Sequence, residues 1–110
     1  MKERENKLIA DFMDMKYSEK RSFSDGEWIH SIKSLSRYES DFTWLMAVVD
    51  KIEGKRDSKG NAHRFSICMC DASIEGTEIA VIGARSKEDA IYEACIQFIT
   101  RQNMIEILNN

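Results

Sequence analysis

The chain has 110 residues, 43% of them hydrophobic and 32% charged, and carries a net charge of −3. This size and composition predict one globular domain over residues 1–110 and exclude a disordered chain. With 16 basic and 19 acidic residues, the chain does not have the excess of Lys and Arg that a broad, non-specific grip on nucleic acid requires.

Membrane and secretion signals do not appear in the sequence. The N-terminal segment Met1–Asn6 is charged, whereas a secretory signal needs an apolar run there, and no stretch reaches the ~18 apolar residues of a membrane span. Three cysteines are an odd number and make no complete disulfide framework. We therefore expect a cytoplasmic protein with reduced thiols.

The first third of the chain predicts a helix followed by a short strand. Apolar residues recur at helical spacing in Asn6–Met15. Residues 16–26 are polar and end in turn-forming residues, so we interpret them as a turn. Glu27–Leu35 alternates between apolar and polar residues as a strand does, although a helix would also suit it.

The middle of the chain contains a clearer helix. Ser40 or Asp41 is placed to cap its first amides, and an apolar stripe then runs from Phe42 to Ile52. Gly54 is a common stop signal for a helix. The polar residues 55–61 that follow have no periodicity and predict a loop.

Two strands and a last helix complete the predicted elements. His63–Asp71 and Thr77–Ala84 alternate as strands, and Ala72–Gly76 between them is short enough for a hairpin. Ser86 opens a capping-box-like start, and an apolar stripe then extends to Ile99; the pattern leaves open whether the helix continues to Leu108. This order predicts an α+β fold, a small antiparallel sheet of two to three strands packed with about three helices.

Three blocks at matching order and spacing resemble a known family. They are NKLIADFM (Asn6–Met13), YESDFTWLMAVVDKIE (Tyr38–Glu53) and SKEDAIYEACIQFI (Ser86–Ile99). Together they are similar to small uncharacterised proteins of gut Bacteroidetes and their phages and mobile elements, described as a phage ABA-sandwich domain. The resemblance implies helices on both faces of a small sheet, an α/β/α sandwich, and it implies no activity. Ala47 stands where the family carries Pro, which a helix interior accommodates.

The thiols allow two chemical interpretations. Cys68 and Cys70 would share one face of a strand, with Cys95 above them and His63 or His30 nearby, as a zinc site or a Cys–His nucleophile requires. Zinc-binding pairs more often lie on tight turns, and cysteine is commonly buried as a small apolar residue. We therefore favour core cysteines and expect no metal, no cofactor and no catalytic residue.

Basic side chains supply two candidate contacts for anions. Arg85 and Ser86 lie where a strand meets a helix N-terminus, which can hold an anion, although capping by Ser86 explains the same residues. Acidic Glu53 and Asp57 interrupt a second basic stretch around the mid-chain loop, where a solvated loop is the simpler interpretation. The candidate nucleic-acid contacts in that stretch are Lys55, Arg56, Lys59 and Arg64.

The leading functional hypothesis is a non-enzymatic protein-interaction module of phage or mobile-element origin. If the C-terminal apolar residues project from the domain, a second copy would cover them, which predicts a homodimer. A small nucleic-acid-associated accessory protein is the alternative, and a thiol enzyme is the third class. The apolar residues concerned are Met104, Ile105, Ile107 and Leu108.

Overall fold

A computed structural model describes residues 2–56 and 59–109, which form four α-helices, a short 3₁₀ helix and two three-stranded sheets. Asp57, an interleaved acid of the predicted basic loop, lies outside the described residues, as does Met1 of the predicted N-terminal segment. The elements in chain order are α1 (Glu3–Phe12), β1 (Tyr17–Ser18), β2 (Ser22–Ser24), β3 (Glu27–Ser31), the 3₁₀ helix (Ile32–Ser36), α2 (Arg37–Ser40), α3 (Phe42–Glu53), β4 (Phe65–Cys68), β5 (Asp71–Ile74), β6 (Ala80–Val81) and α4 (Lys87–Asn109). The predicted α+β class, with a small antiparallel sheet packed against helices, is confirmed.

The N-terminal sheet has the order β1-β3-β2, with β1 parallel and β2 antiparallel to the central β3. Asp25 and Gly26 connect β2 to β3 with φ values of 54° and 78°. Two central residues with positive φ give a hairpin turn whose twist matches that of the strands. The predicted strand from Glu27 is confirmed as far as Ser31. Residues 16–26, which we interpreted as a turn, contain β1 and β2 as well.

The C-terminal sheet has the order β4-β5-β6, and both pairs are antiparallel. Cys68 pairs with Asp71, so the first hairpin turns at Met69 and Cys70. The predicted hairpin at Ala72–Gly76 is wrong, because Ala72 to Ile74 belong to β5. Met69 makes the early turn by adopting a left-handed backbone conformation, with a φ of 52°. The sequence does not signal this turn, because such positions are usually occupied by Gly or Asn.

Local capping fixes where the two long helices begin. Asp41 Oδ1 accepts hydrogen bonds from the amides of Thr43 (2.9 Å) and Trp44 (3.4 Å), and α3 ends at Gly54 as predicted. Ser86 Oγ accepts from the amide of Asp89 at 3.1 Å, so α4 starts as the sequence predicts and then continues to Asn109. Within the described ranges, neither α4 nor any shorter helix is both long and apolar enough to cross a bilayer.

Helix α4 is the centre of the core. One side of it packs on β5 and β6, and α1 and α3 pack on it as well. Its predicted apolar stripe is buried throughout, from Ala90 to Ile99, against residues such as Val48 of α3 and Ile74 of β5. The opposite face of this sheet is open in the described chain. The sandwich that the resemblance implies would need a second helical layer there, over the exposed residues Ser66, Cys68, Ala80 and Ile82.

Candidate functional site

The last turns of α4 carry apolar side chains that the domain does not cover. All six residues from Asn103 to Leu108 are exposed. Six residues make about 1.7 turns of an α-helix, so the whole circumference faces outward. We call this segment, residues 103–108, the α4 end. Its large apolar side chains are Met104 (58% exposed), Ile105 (51%), Ile107 (73%) and Leu108 (79%).

A shallow groove between α1 and α4 adjoins the α4 end. It encloses about 350 Å³, and its apolar walls come from Leu8 of α1 and from Ile96, Thr100 and Met104 of α4. Met104 belongs to both surfaces, so the apolar surface of the α4 end continues into this α1–α4 groove. Arg4 and Glu5, of opposite charge, also line it.

Lys55 of the mid-chain basic stretch and the neighbouring Lys51 both contact the end of α1. Lys55 Nζ lies 5.4 Å from the ring centre of Phe12, and the neighbouring Lys51 donates to the Phe12 carbonyl oxygen and pairs with Asp14 at 3.3 Å. These two lysines therefore lie over the end of α1. Of the predicted contacts, Lys55, Arg56, Lys59 and Arg64 are all exposed.

Arg56 lines a second groove, next to His63 and between α4 and the turn at Gly76. This His63 groove encloses about 400 Å³, and α4 contributes Arg101 to it. Sequence reasoning missed it because Arg101 lies 38 residues beyond His63 in the chain. The remaining lining residues are Gly76, Thr77, Phe98, Gln102 and Ile105.

At the second predicted anion contact, the start of α4, the side chains of Arg85 and Ser86 both have partners within the chain. Arg85 Nε pairs with Asp89 Oδ2 at 3.2 Å, and Lys2 lies 3.7 Å from the other oxygen of the same carboxylate. Ser86 uses its hydroxyl to cap the helix, so the capping interpretation of this residue is confirmed. Anion binding by Arg85 and Ser86 stays a prediction.

An exposed aromatic pair on the β2–β3 hairpin was not predicted. Phe23 and Trp28 are cross-strand partners whose ring centres lie 5.1 Å apart, and both are more than half exposed. The guanidinium of Arg21 lies 4.3 Å from the centre of a Trp28 ring. The signal that predicts this cluster is the Asp25-Gly26 turn, which sets the register of the two aromatic residues.

The thiols lie in three different environments. Cys68 is exposed on the open face of the sheet, Cys70 is in the hairpin turn, and Cys95 is buried in the core. Burial raises the pKa of the Cys95 thiol to about 12, which suppresses its nucleophilic thiolate. The prediction that Cys68 and Cys70 share a strand face is wrong, because β4 ends at Cys68. Across residues 2–56 and 59–109, no three His, Cys, Asp or Glu side chains converge as a metal site.

Comparison with known proteins finds no relative: no protein-family model matches the chain, and neither a curated protein nor a solved structure matches it. The resemblance to the phage ABA-sandwich domain therefore stays a prediction. The α4 end, the two grooves and the aromatic hairpin are the features from which function must be inferred.

Proposed function

We propose that this protein is a non-enzymatic interaction module that self-associates through the α4 end and the α1–α4 groove. The observation that carries the proposal is the exposure of four large apolar side chains, Met104, Ile105, Ile107 and Leu108, on one side of the last helical turns. Origin in a phage or mobile element is part of the proposal and rests on the sequence resemblance.

The energetics favour a partner for this segment. Short helical segments without tertiary packing are marginal in water, because helical stability in proteins comes mostly from packing an apolar face. Fully burying an Ile, Leu or Met side chain contributes roughly 1.5–3 kcal/mol. Cover for even two of these side chains therefore provides a driving force of several kcal/mol. This force would stabilise the helical turns and the association together.

A second copy of the chain fits this surface because the surface is self-complementary. Ile96, Thr100, Met104 and Ile107 follow one another at spacings of four, four and three residues, so they lie on one face of α4. Along that face, Ile96, Thr100 and Met104 line the groove, and the exposed Ile107 beyond them provides a ridge. A two-fold interface pairs one patch with itself, which places each ridge in the partner's groove when the two α4 helices run antiparallel.

The middle of this apolar face of α4, from Ile96 to Ile107, suits close contact between two helices. Thr100 is small and would lie near the two-fold axis, where the two helix backbones approach each other. Arg4 and Glu5 give the groove one charge of each sign, so two copies do not repel one another there. The stripe is short compared with a standard protein interface, and we therefore expect a dissociation constant in the micromolar range.

Sedimentation velocity over a series of protein concentrations tests the proposal. We expect the wild-type chain to shift from monomer to dimer, and Ile107→Lys to remain a monomer because a lysine would be placed in the apolar contact. Ile82→Lys is the matched control, since Ile82 is 81% exposed on the open face of the sheet, away from α4. Circular dichroism verifies that each variant is folded. A wild-type monomer at every concentration, or a dimer of Ile107→Lys, would contradict the proposal.

A nucleic-acid-associated accessory role is the second candidate. It is supported by the guanidinium groups of Arg56 and Arg64, which have no carboxylate partner among the described residues. Fluorescence anisotropy with labelled DNA and RNA at two salt concentrations tests it, using a triple reversal of Lys55, Arg56 and Lys59 to Glu. Salt-sensitive binding that the triple variant loses supports this role, and binding that survives the reversal excludes it.

A further inference from the structure

We propose that the His63 groove binds a small molecule bearing a phosphate monoester, with the phosphate held between Arg56 and Arg101. The groove has a volume of about 400 Å³, which lies within the usual range of small-molecule sites. None of the described residues that line it is acidic. Its polar side chains are mainly donors, which suits an anion.

Neither of the two guanidinium groups pairs with a carboxylate among the described residues. Arg101 has neither a hydrogen-bond partner nor an ion-pair partner within residues 2–56 and 59–109. Among the described residues, Arg56 bonds to the carbonyl oxygens of Glu53 and Lys55, at a long 3.4 Å in each case. Guanidinium groups bind phosphate oxygens in a bidentate manner, through charge-assisted hydrogen bonds. Two of them at one groove make phosphate a better-matched ligand than a singly charged carboxylate.

His63 is held in a fixed orientation beside them. The side chain is 5% exposed, and its Nδ1 lies 3.3 Å from the carbonyl oxygen of Glu75. Because a carbonyl oxygen only accepts, Nδ1 is the protonated nitrogen of this pair. Nε2 is left without a partner in the described chain, so it is open to contact with a ligand in the groove.

Phe98 and Gly76 pack against the imidazole, and two other residues complete the groove. The Phe98 ring packs edge-on against it, with 5.1 Å between ring centres. Gly76 lies so close that a Cβ atom there would be 3.4 Å from His63 Nδ1, and its φ of +82° also favours glycine. Gln102 supplies a further amide donor at the rim, and Ile105 offers an apolar wall to the organic part of the ligand.

Isothermal titration calorimetry with three probes tests the proposal: inorganic phosphate, adenosine monophosphate and a single-stranded oligonucleotide. We expect adenosine monophosphate to bind, and Arg101→Gln and Arg56→Gln each to weaken it about tenfold or more, the loss of one charge-assisted contact. Arg21→Gln is the control, because Arg21 is exposed, lies over Trp28 of the β2–β3 hairpin and does not line the groove. That variant should bind like the wild type.

The outcomes separate the sources of the phosphate. Binding of adenosine monophosphate that both groove variants lose supports the proposal, and binding of inorganic phosphate with the same pattern supports it for the anion alone. Undiminished binding in Arg101→Gln overturns it, as does binding of the oligonucleotide without either small probe. Ile107→Lys should bind adenosine monophosphate as the wild type does, so this result is independent of self-association.

Discussion

The hydroxyl of Tyr92 donates a hydrogen bond of 2.7 Å to Asn6 Oδ1, and this bond joins α4 to α1 inside the core. Asn6 in turn donates through Nδ2 to Glu39 Oε2 at 2.6 Å, which connects the pair to α2. Both Tyr92 and Asn6 are nearly inaccessible to solvent. Burial, with the Glu39 charge as a smaller contribution, raises the pKa of the Tyr92 hydroxyl and keeps it a donor.

Breaking this chain of hydrogen bonds should destabilise the domain. Tyr92→Phe leaves a buried amide oxygen of Asn6 without its donor, and we expect a loss of about 1–3 kcal/mol in the free energy of unfolding. Asn6→Leu removes the other partner. Because the two residues share one bond, the double variant should cost less than the sum of the single ones. Urea denaturation measures all three, and strict additivity would contradict the coupling.

The N-cap of α3 gives a second prediction. Asp41 accepts from two amides of the first turn, so Asp41→Ala should lower the free energy of unfolding by about 1 kcal/mol. Asp41→Asn is the matched control, because asparagine caps about as well, and it should retain most of the stability. Thermal or urea denaturation distinguishes the two. Equal losses in both variants would mean that the charge, not the cap, is responsible.

The helix ends that were predicted correctly are those that depend on residues close to them in the sequence. Asp41 and Gly54 mark the ends of α3, and Ser86 marks the start of α4, because caps and stripes are local patterns. The first hairpin of the C-terminal sheet was misplaced because its turn residue is a methionine. The α4 end was anticipated from its apolar residues. The His63 groove was not, since Arg56, His63 and Arg101 are brought together only by packing.

The turn at Met69 gives a further prediction. Met69 is 81% exposed and adopts a left-handed φ of 52°, so its side chain contributes little packing while its backbone is strained. A left-handed residue other than glycine costs roughly 1–2 kcal/mol, and glycine loses about 0.5–1 kcal/mol in chain entropy. Met69→Gly should therefore stabilise the protein by up to about 1 kcal/mol. Met69→Ala, which keeps the strain, should not, and a stabilised alanine variant would refute the explanation.

The environments of the thiols predict an order of labelling. Cys68 is exposed and should react with a disulfide reagent in the folded protein, and Cys68→Ser should remove that fast phase. Cys95 is fully buried and its pKa is raised to about 12 by burial, so it should react only as the protein unfolds. Mass spectrometry of the labelled peptides over time gives the order. Fast labelling of Cys95 under native conditions would show that α4 does not hold its place in the core.

Alkaline pH should destabilise the protein through two buried acidic groups, the Tyr38 phenol and the Cys95 thiol. Burial raises the pKa of Tyr38 from its ordinary 10.0 to about 12, and that of Cys95 from 9.0 to about 12. Below pH 9.0 both groups are protonated in the folded and the unfolded chain, so their contribution to stability is fully present. As the pH rises towards about 12, the unfolded chain loses protons that the folded chain keeps, and stability falls. Each group steepens the fall by at most about 1.4 kcal/mol per pH unit.

Tyr38→Phe separates the contribution of one of these groups. The variant lacks the phenol, so its free energy of unfolding should fall less steeply with pH above 10.0. Its stability at neutral pH also changes, because the hydroxyl contact with Met15 Sδ at 3.7 Å is lost. Urea denaturation at a series of pH values gives the slope for the wild type and the variant. Identical slopes would mean that Tyr38 ionises as readily in the folded protein as in the unfolded chain, and would contradict the prediction.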